Sequence, residues 1–201
     1  MVGWLEIRAQ VNDQLVAEGV PSLTEQDAFL LYLMILLLYE EGVEPSKAEI
    51  LFKLREHNAS DALVQHAIAY YAATPQWYEV AQATDQIHCV YFRQQPKWFR
   101  GWVDLKSPRN HHPPQLWVDF LDFLLDRPGG WLFSHTRYVL AKALKKHGPL
   151  SLQRLRLGDI AHLIQLALQQ EYLCYETTMI VPSWISPGFV ADKRYALADH
   201  A

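Results

Sequence analysis

The side chains best suited to chemistry in this chain are a histidine pair and a short acidic run. His111 and His112 are adjacent, and histidine ring nitrogens are common metal ligands. However, adjacent histidines beside prolines cannot both face one ion from a helix, and no cysteine or acidic residue follows at a ligand spacing. The sequence therefore predicts no metal site and no cofactor.

The acidic run consists of Glu40, Glu41 and Glu44, a grouping also found in the paired carboxylates of acid–base catalysts. These residues adjoin Gly42 at a predicted helix end, where solvent-exposed charge is the simpler interpretation. The chain has no glycine-rich phosphate loop, no nucleophile elbow and no cysteine with a local catalytic signature. We therefore expect a non-enzyme with no catalytic residues. A dispersed triad stays an alternative, because triad residues need not be neighbours in sequence.

Composition places the chain among globular proteins of one or two small domains. It has 201 residues, of which 50% are hydrophobic and 20% are charged. The longest uncharged apolar run, 28–39, is shorter than the roughly 20 residues of a membrane span. The first residues show no secretory signal, so a cytoplasmic location is expected. Cys89 and Cys174 are interpreted as small buried hydrophobes, with a disulfide as the alternative.

Charge is divided along the chain. Residues 1–50 hold nine acidic and two basic side chains, a net charge of −7, whereas residues 93–156 hold twelve basic and four acidic ones, a net charge of +8. Such a division suggests an acidic or polyanionic partner for the middle of the chain.

One order of elements is predicted twice, namely three helices followed by a β-rich segment. The first copy has helix 24–41 capped by Ser22 and Glu25, helix 47–57 capped by Ser46 and Glu49, helix 61–73 capped by Ser60, and a hairpin over 77–93. The second has helix 135–147 opened by Ser134, helix 152–157 by Ser151, helix 160–171 by Asp159, and a β-rich segment over 172–181. Helix 24–41 is apolar all round and is therefore expected to be buried all round, by the second copy or by another chain.

Five regions follow from these elements. An amphipathic helix, 4–18, lies in the N-terminal region, and helix 115–126 precedes the second copy. The predicted regions are an N-terminal helical segment (1–21), a first unit (22–95), a connector (96–114), a second unit (115–181) and an extended tail (182–201).

The first copy resembles a winged-helix domain. Two of its helices are joined tightly through Asn58-Ala59-Ser60, after a core helix and before strands near 77–80 and 87–92. The predicted fold class is mainly α with small β hairpins (α+β), with two winged-helix-like units in tandem.

Winged-helix proteins most often bind DNA through the third helix, with Lys or Arg contacting phosphates. Neither 60–76 nor 158–171 contains a Lys or Arg. Tandem units of this kind resemble those of small subunits in chromosome-condensing, endosomal-sorting and basal transcription complexes, and the resemblance implies docking surfaces rather than base readers. The sequence therefore predicts a protein–protein interaction or assembly subunit, with a protein partner or self-association.

The residues expected to contact a partner are apolar or aromatic: Trp4, Ile7, Val11, Trp98, Trp102 and Trp184. The alternative is a DNA-binding transcriptional regulator that uses the basic region 93–156. The aromatic side chains that lie between basic residues in this region are also suited to binding single-stranded nucleic acid. Its candidate nucleic-acid contacts are Lys97, Arg100, Lys142, Lys145, Lys146, Arg154 and Arg156. The aromatics near residue 100 could instead fill a seam between the two units.

Overall fold

The computed structural model describes residues 2–84, 87–126, 136–177 and 179–185, with the backbone alone described for 2–8, 82–84, 87 and 185. The chain divides into two compact units, unit 1 (residues 1–102) and unit 2 (residues 103–201).

Unit 1 contains four helices and a hairpin: α1 (Val2–Ala17), α2 (Glu25–Glu41), α3 (Lys47–Glu56), α4 (Asp61–Ala72), β1 (Tyr78–Thr84) and β2 (Ile87–Phe92). The two strands are antiparallel, with Tyr78 opposite Phe92. Ser46 forms an isolated bridge with Cys89, and the Val90 amide donates to the Pro45 carbonyl at 3.0 Å. The segment between α2 and α3 is thereby tied to the edge of the hairpin.

Side-chain caps define where the helices of unit 1 begin. The Thr24 hydroxyl accepts from the Asp27 amide at 3.1 Å, while the Asp27 carboxylate accepts from the Thr24 amide. This reciprocal pair is a capping box, so the predicted cap by Ser22 and Glu25 was wrong. The predicted N-caps Ser46 and Ser60 are confirmed, because each hydroxyl accepts from a backbone amide three residues on.

Helix α1 packs within unit 1. Val11 is 7% exposed and Leu15 is fully buried. The Asn12 side chain also makes two bonds with Leu23, accepting from its amide at 2.7 Å and donating to its carbonyl. The amphipathic face of this helix is therefore covered by its own unit over these positions.

Helix α2 is not buried all round, which corrects the sequence-based expectation. One side of it, including Leu31, Ile35 and Leu38, is buried. On the other side Phe29 is 65% exposed and Tyr32 is 45% exposed. A helix in so small a unit has too few neighbours to cover its whole circumference: α2 packs on α3 and β2.

Lys53 in α3 is buried, although lysine side chains usually face solvent. Only 2% of its surface is exposed, and its ammonium lies 2.8 Å from the carboxylate of Glu41 in α2. A buried ammonium requires such a counter-charge, because removing an ion from water is costly.

Unit 2 contains α5 (Pro114–Leu125), α6 (Arg137–His147), α7 (Leu150–Gln153), α8 (Leu157–Gln169), β3 (Leu173–Glu176), antiparallel β4 (Met179–Pro182) and a short 3₁₀ turn, Ser183–Ile185. Thr136 caps α6, and the predicted opening residue Ser134 lies outside the described residues. The predicted caps Ser151 and Asp159 were wrong. Pro149 precedes α7, and Asp159 lies inside α8, where it pairs with Arg156 at 3.0 Å.

The core of unit 2 forms where α5, α6 and α8 meet. It includes Phe120, Leu124, Leu144 and Ile164, all buried. Across both units the described residues are mainly helical with two antiparallel hairpins, which confirms the predicted α+β class. In the part of the chain described, none of the helices combines the length and apolar character that a bilayer crossing requires. Most of the predicted tail, 186–201, lies outside the described residues.

Candidate functional site

An open groove of about 650 Å³ lies in unit 1 between the start of α2, the end of α4 and the hairpin. Its walls are largely aromatic. The lining includes Phe29 and Tyr32 from α2, Tyr70 and Tyr71 from α4, and Tyr78 and Phe92 from the hairpin.

Ring contacts hold the groove's aromatic wall together. Tyr78 stacks on Phe92 with ring centroids 5.7 Å apart, and Tyr32 contacts the same Phe92 ring at 5.3 Å. Tyr71 meets Tyr78 edge-on at 4.9 Å. Such pairs add to the stability gained by burial alone, so the wall is in place before anything binds.

The tyrosine hydroxyls of α4 are used inside the unit. Tyr71 donates to the Leu31 carbonyl at 2.8 Å, and Tyr70 donates to the Pro21 carbonyl at 3.0 Å. Burial raises the pKa of both phenols, with Asp27 adding to the effect at Tyr70 and Tyr78 at Tyr71. Both hydroxyls are therefore protonated near neutral pH, and the groove's inner surface carries no charge from them.

Among the described residues that line the groove, the charged side chains are exposed and lie at its rim. Glu25 and Arg93 are both exposed, and they carry opposite signs. The Arg93 side chain also donates to the carbonyl of Pro75, which holds its stem against the groove edge. An apolar wall whose rim carries one acidic and one basic side chain is suited to an apolar ligand surface of little net charge.

The predicted contact residues occupy different places. Trp98 is 49% exposed, whereas Trp102 is half-buried, with its ring centroid 4.5 Å from Tyr39 and 4.4 Å from Phe99. Trp184 packs against the core of unit 2. Val11 is buried, and the side chains of Trp4 and Ile7 lie outside the described residues. None of the predicted contact residues whose side chains are described therefore lines the groove.

Several of the predicted nucleic-acid contacts have partners inside unit 2. The Lys145 ammonium donates to the carbonyls of Gln153 and Leu155, at the end of α7. Arg156 forms a two-bond ion pair with Asp159. Lys142 lies 5.6 Å from the centroid of the Tyr138 ring. These three side chains therefore support the fold of the unit.

The remaining predicted contacts are exposed: Lys97, Arg100, Lys146 and Arg154. Helices α4 and α8 contain no Lys or Arg. These two helices, the third of each predicted copy, therefore offer no Lys or Arg to phosphates.

Sequence reasoning missed the groove because it expected helix 24–41, which carries Phe29 and Tyr32, to be buried all round. Their types and spacing match those of buried residues on the same helix. Only the positions of α4 and the hairpin reveal which side is left uncovered.

Within the described part of the chain, one group of three side chains is arranged so that it could hold a metal ion: His111, His112 and His162. His162 is fully buried in α8, His112 is 8% exposed, and His111 is exposed. Burial, with the adjacent rings of His111 and His162, lowers the pKa of His112 to about 4. Sequence reasoning missed His162, which lies 50 residues beyond His112.

Comparison with known proteins gives two partial matches. No curated protein and no solved structure matches the chain. Residues 13–101, which lie in unit 1, are similar to a domain family of unknown function, DUF7602. Residues 128–200, which lie in unit 2, are similar to the OST-HTH Associated domain, a family associated with a winged-helix-like domain.

Proposed function

We propose that this protein is a non-catalytic interaction subunit and that the groove of unit 1 binds an apolar segment of a partner protein. The observation that carries this proposal is the exposure of Phe29 and Tyr32. They lie one helical turn apart on a core helix, at 65% and 45% exposure, beside an aromatic groove of about 650 Å³. Aromatic side chains at such a surface commonly dominate binding energy.

The order of elements supports the same class of protein. In unit 1 a helix, a bridged segment at Ser46, two further helices and a hairpin follow one another, as in winged-helix domains. In unit 2 the helices α6, α7 and α8 follow one another and lead into the hairpin, and the likeness of this unit to the OST-HTH Associated domain is consistent with this fold. We propose that both units are winged-helix-like and that they act as docking modules.

A peptide-display selection against the full chain tests the groove. We expect the selected peptides to carry two or three apolar or aromatic residues, because those side chains fit an uncharged wall. Phe29→Ala should weaken the binding of a selected peptide about thirtyfold, the loss of about 2 kcal/mol that marks a hot-spot residue. Fluorescence anisotropy with the labelled peptide measures this change.

Two controls make that result specific. Tyr32→Ala should weaken the same peptide, whereas Tyr175→Ala should not, although Tyr175 is a tyrosine of similar exposure, 54%, in unit 2. Circular dichroism should show an unchanged fold for each variant. Equal binding by Phe29→Ala and the unaltered protein would remove the groove from the proposal.

Nucleic-acid binding is the second candidate, and the exposure of Trp98 between exposed Lys97 and Arg100 favours it. A ring with flanking cations can stack on a base and neutralise phosphates. The same arrangement would suit single strands better than a duplex, because α4, the helix expected to contact DNA in a winged-helix domain, contains no Lys or Arg.

We expect duplex DNA to bind weakly, with a dissociation constant above about 100 µM at about 200 mM salt. The reason is that α4 and α8 lack Lys and Arg, and that Lys145 and Arg156 are engaged within unit 2. Anisotropy with random duplex and single-stranded DNA at about 50 and 200 mM salt provides the measurement.

A tight, salt-sensitive complex would contradict that expectation. In that case the double variant Lys146→Glu and Arg154→Glu should abolish duplex binding, since both side chains are exposed. Lys145 is left unchanged in this variant, because its bonds to two carbonyls would confuse a loss of binding with a loss of fold. For single-stranded DNA the corresponding variant is Trp98→Ala, which should abolish single-strand binding.

A further inference from the structure

We propose that His111, His112 and His162 form a binding site for one divalent transition-metal ion of the zinc type. The first two side chains precede α5 and the third lies in α8, so the site joins two separate parts of unit 2. The candidate ligand atoms all lie within 4.8 Å of one another.

The two buried rings already have a separation that suits a shared ion. Nε2 of His112 lies 3.1 Å from Nδ1 of His162. Two nitrogens bound to one tetrahedral Zn²⁺ at 2.0–2.1 Å are about 3.3 Å apart. A shift of a few tenths of an ångström, with the hydrogen on Nε2 of His112 moving to Nδ1 of the same ring, would therefore convert the hydrogen-bonded pair into two metal ligands.

A backbone contact orients His162 for this role. Its Nε2 lies 2.9 Å from the carbonyl of Ser107. Because a carbonyl can only accept, Nε2 carries a hydrogen, which leaves Nδ1 as the nitrogen that faces His112 and would bind the ion. Histidine ligands in metal sites usually donate their second nitrogen in this way.

His111 supplies the third ligand. Its ring is parallel to that of His162, at an interplanar angle of 7° and a centroid distance of 4.7 Å. Since His111 is exposed, its ring can rotate to direct a nitrogen toward the other two. Three neutral imidazoles suit Zn²⁺, Cu²⁺ or Ni²⁺ and leave a fourth position for water or a protein ligand.

Isothermal titration with Zn²⁺, on the full chain without any added histidine tag, tests this site. We expect one ion per chain and a rise in the melting temperature on binding, because an ion that binds only the folded state stabilises it. His111→Ala should weaken the affinity at least tenfold, which corresponds to about 1.4 kcal/mol.

The matched control is His147→Ala, which removes another exposed histidine of unit 2 and should leave the affinity unchanged. Co²⁺ absorption gives a second readout, since bound tetrahedral Co²⁺ should show intense visible bands that weaken in His111→Ala. The absence of a one-to-one complex would overturn the proposal. So would an equal affinity in His111→Ala and the unaltered protein, or an equal loss in His147→Ala.

Discussion

Replacing Glu41 by alanine is expected to lower the free energy of unfolding by about 3 kcal/mol. The carboxylate of Glu41 lies 2.8 Å from the Lys53 ammonium, and the side chain of Lys53 is 3% exposed. Breaking a buried pair by removing one partner typically costs about 3–5 kcal/mol, and the Glu49 carboxylate, which also interacts with Lys53, offsets part of that cost. The side chain of Glu41 is itself 19% exposed, so the expected cost lies at the lower end of that range. Urea denaturation followed by circular dichroism measures the change.

Glu40→Ala is the matched control for this prediction. Glu40 is the neighbouring acidic residue on α2 and is exposed, so its removal should change the stability by less than about 0.5 kcal/mol. Adding Lys53→Met to Glu41→Ala should restore much of the loss, because an apolar side chain of similar length replaces the buried charge. Similar costs for Glu41→Ala and Glu40→Ala would show that the pair contributes little.

The second large effect is expected from Leu124→Ala in α5. Leu124 is 2% exposed and belongs to the core of unit 2, whereas its neighbour Leu125 is 55% exposed. Truncating a buried leucine removes transfer free energy and leaves a cavity, at a cost of about 3 kcal/mol. Hydrogen exchange should therefore accelerate in α5, α6 and α8.

Leu125→Ala makes the same chemical change one residue further along the chain. We expect it to cost less than about 1 kcal/mol and to leave the exchange in those helices almost unchanged. If the two variants behaved alike, α5 would not pack against the core of unit 2 through Leu124.

Local sequence signals predicted the helices and strands better than they predicted what each of these elements packs against. The serines at 46 and 60 were correct caps because an N-cap bond involves residues only three apart. The error at α8 has a physical reason, since Asp159 forms an ion pair with Arg156 instead of capping the helix. The acidic side chain favours the first turn of a helix as well as its cap, so its position alone does not locate the start.

The candidate sites were less predictable, because they depend on contacts distant in sequence. The metal site needs His162, which reaches His112 only after the chain has formed three helices. The exposure of Phe29 depends on where α4 and the hairpin lie. Lysine is rarely buried, and the burial of Lys53 depends on its ion pair with Glu41 of α2, a contact that its own position in α3 does not reveal.

The bridge between Ser46 and Cys89 has a consequence for redox chemistry. The Cys89 thiol is 1% exposed, and burial raises its pKa, with Glu44 adding to that effect and the hydrogen bond with Tyr91 opposing it. Oxidants and alkylating agents react with the thiolate, so a buried thiol of raised pKa is nearly inert. Burial in the folded hairpin therefore slows the oxidation of this cysteine.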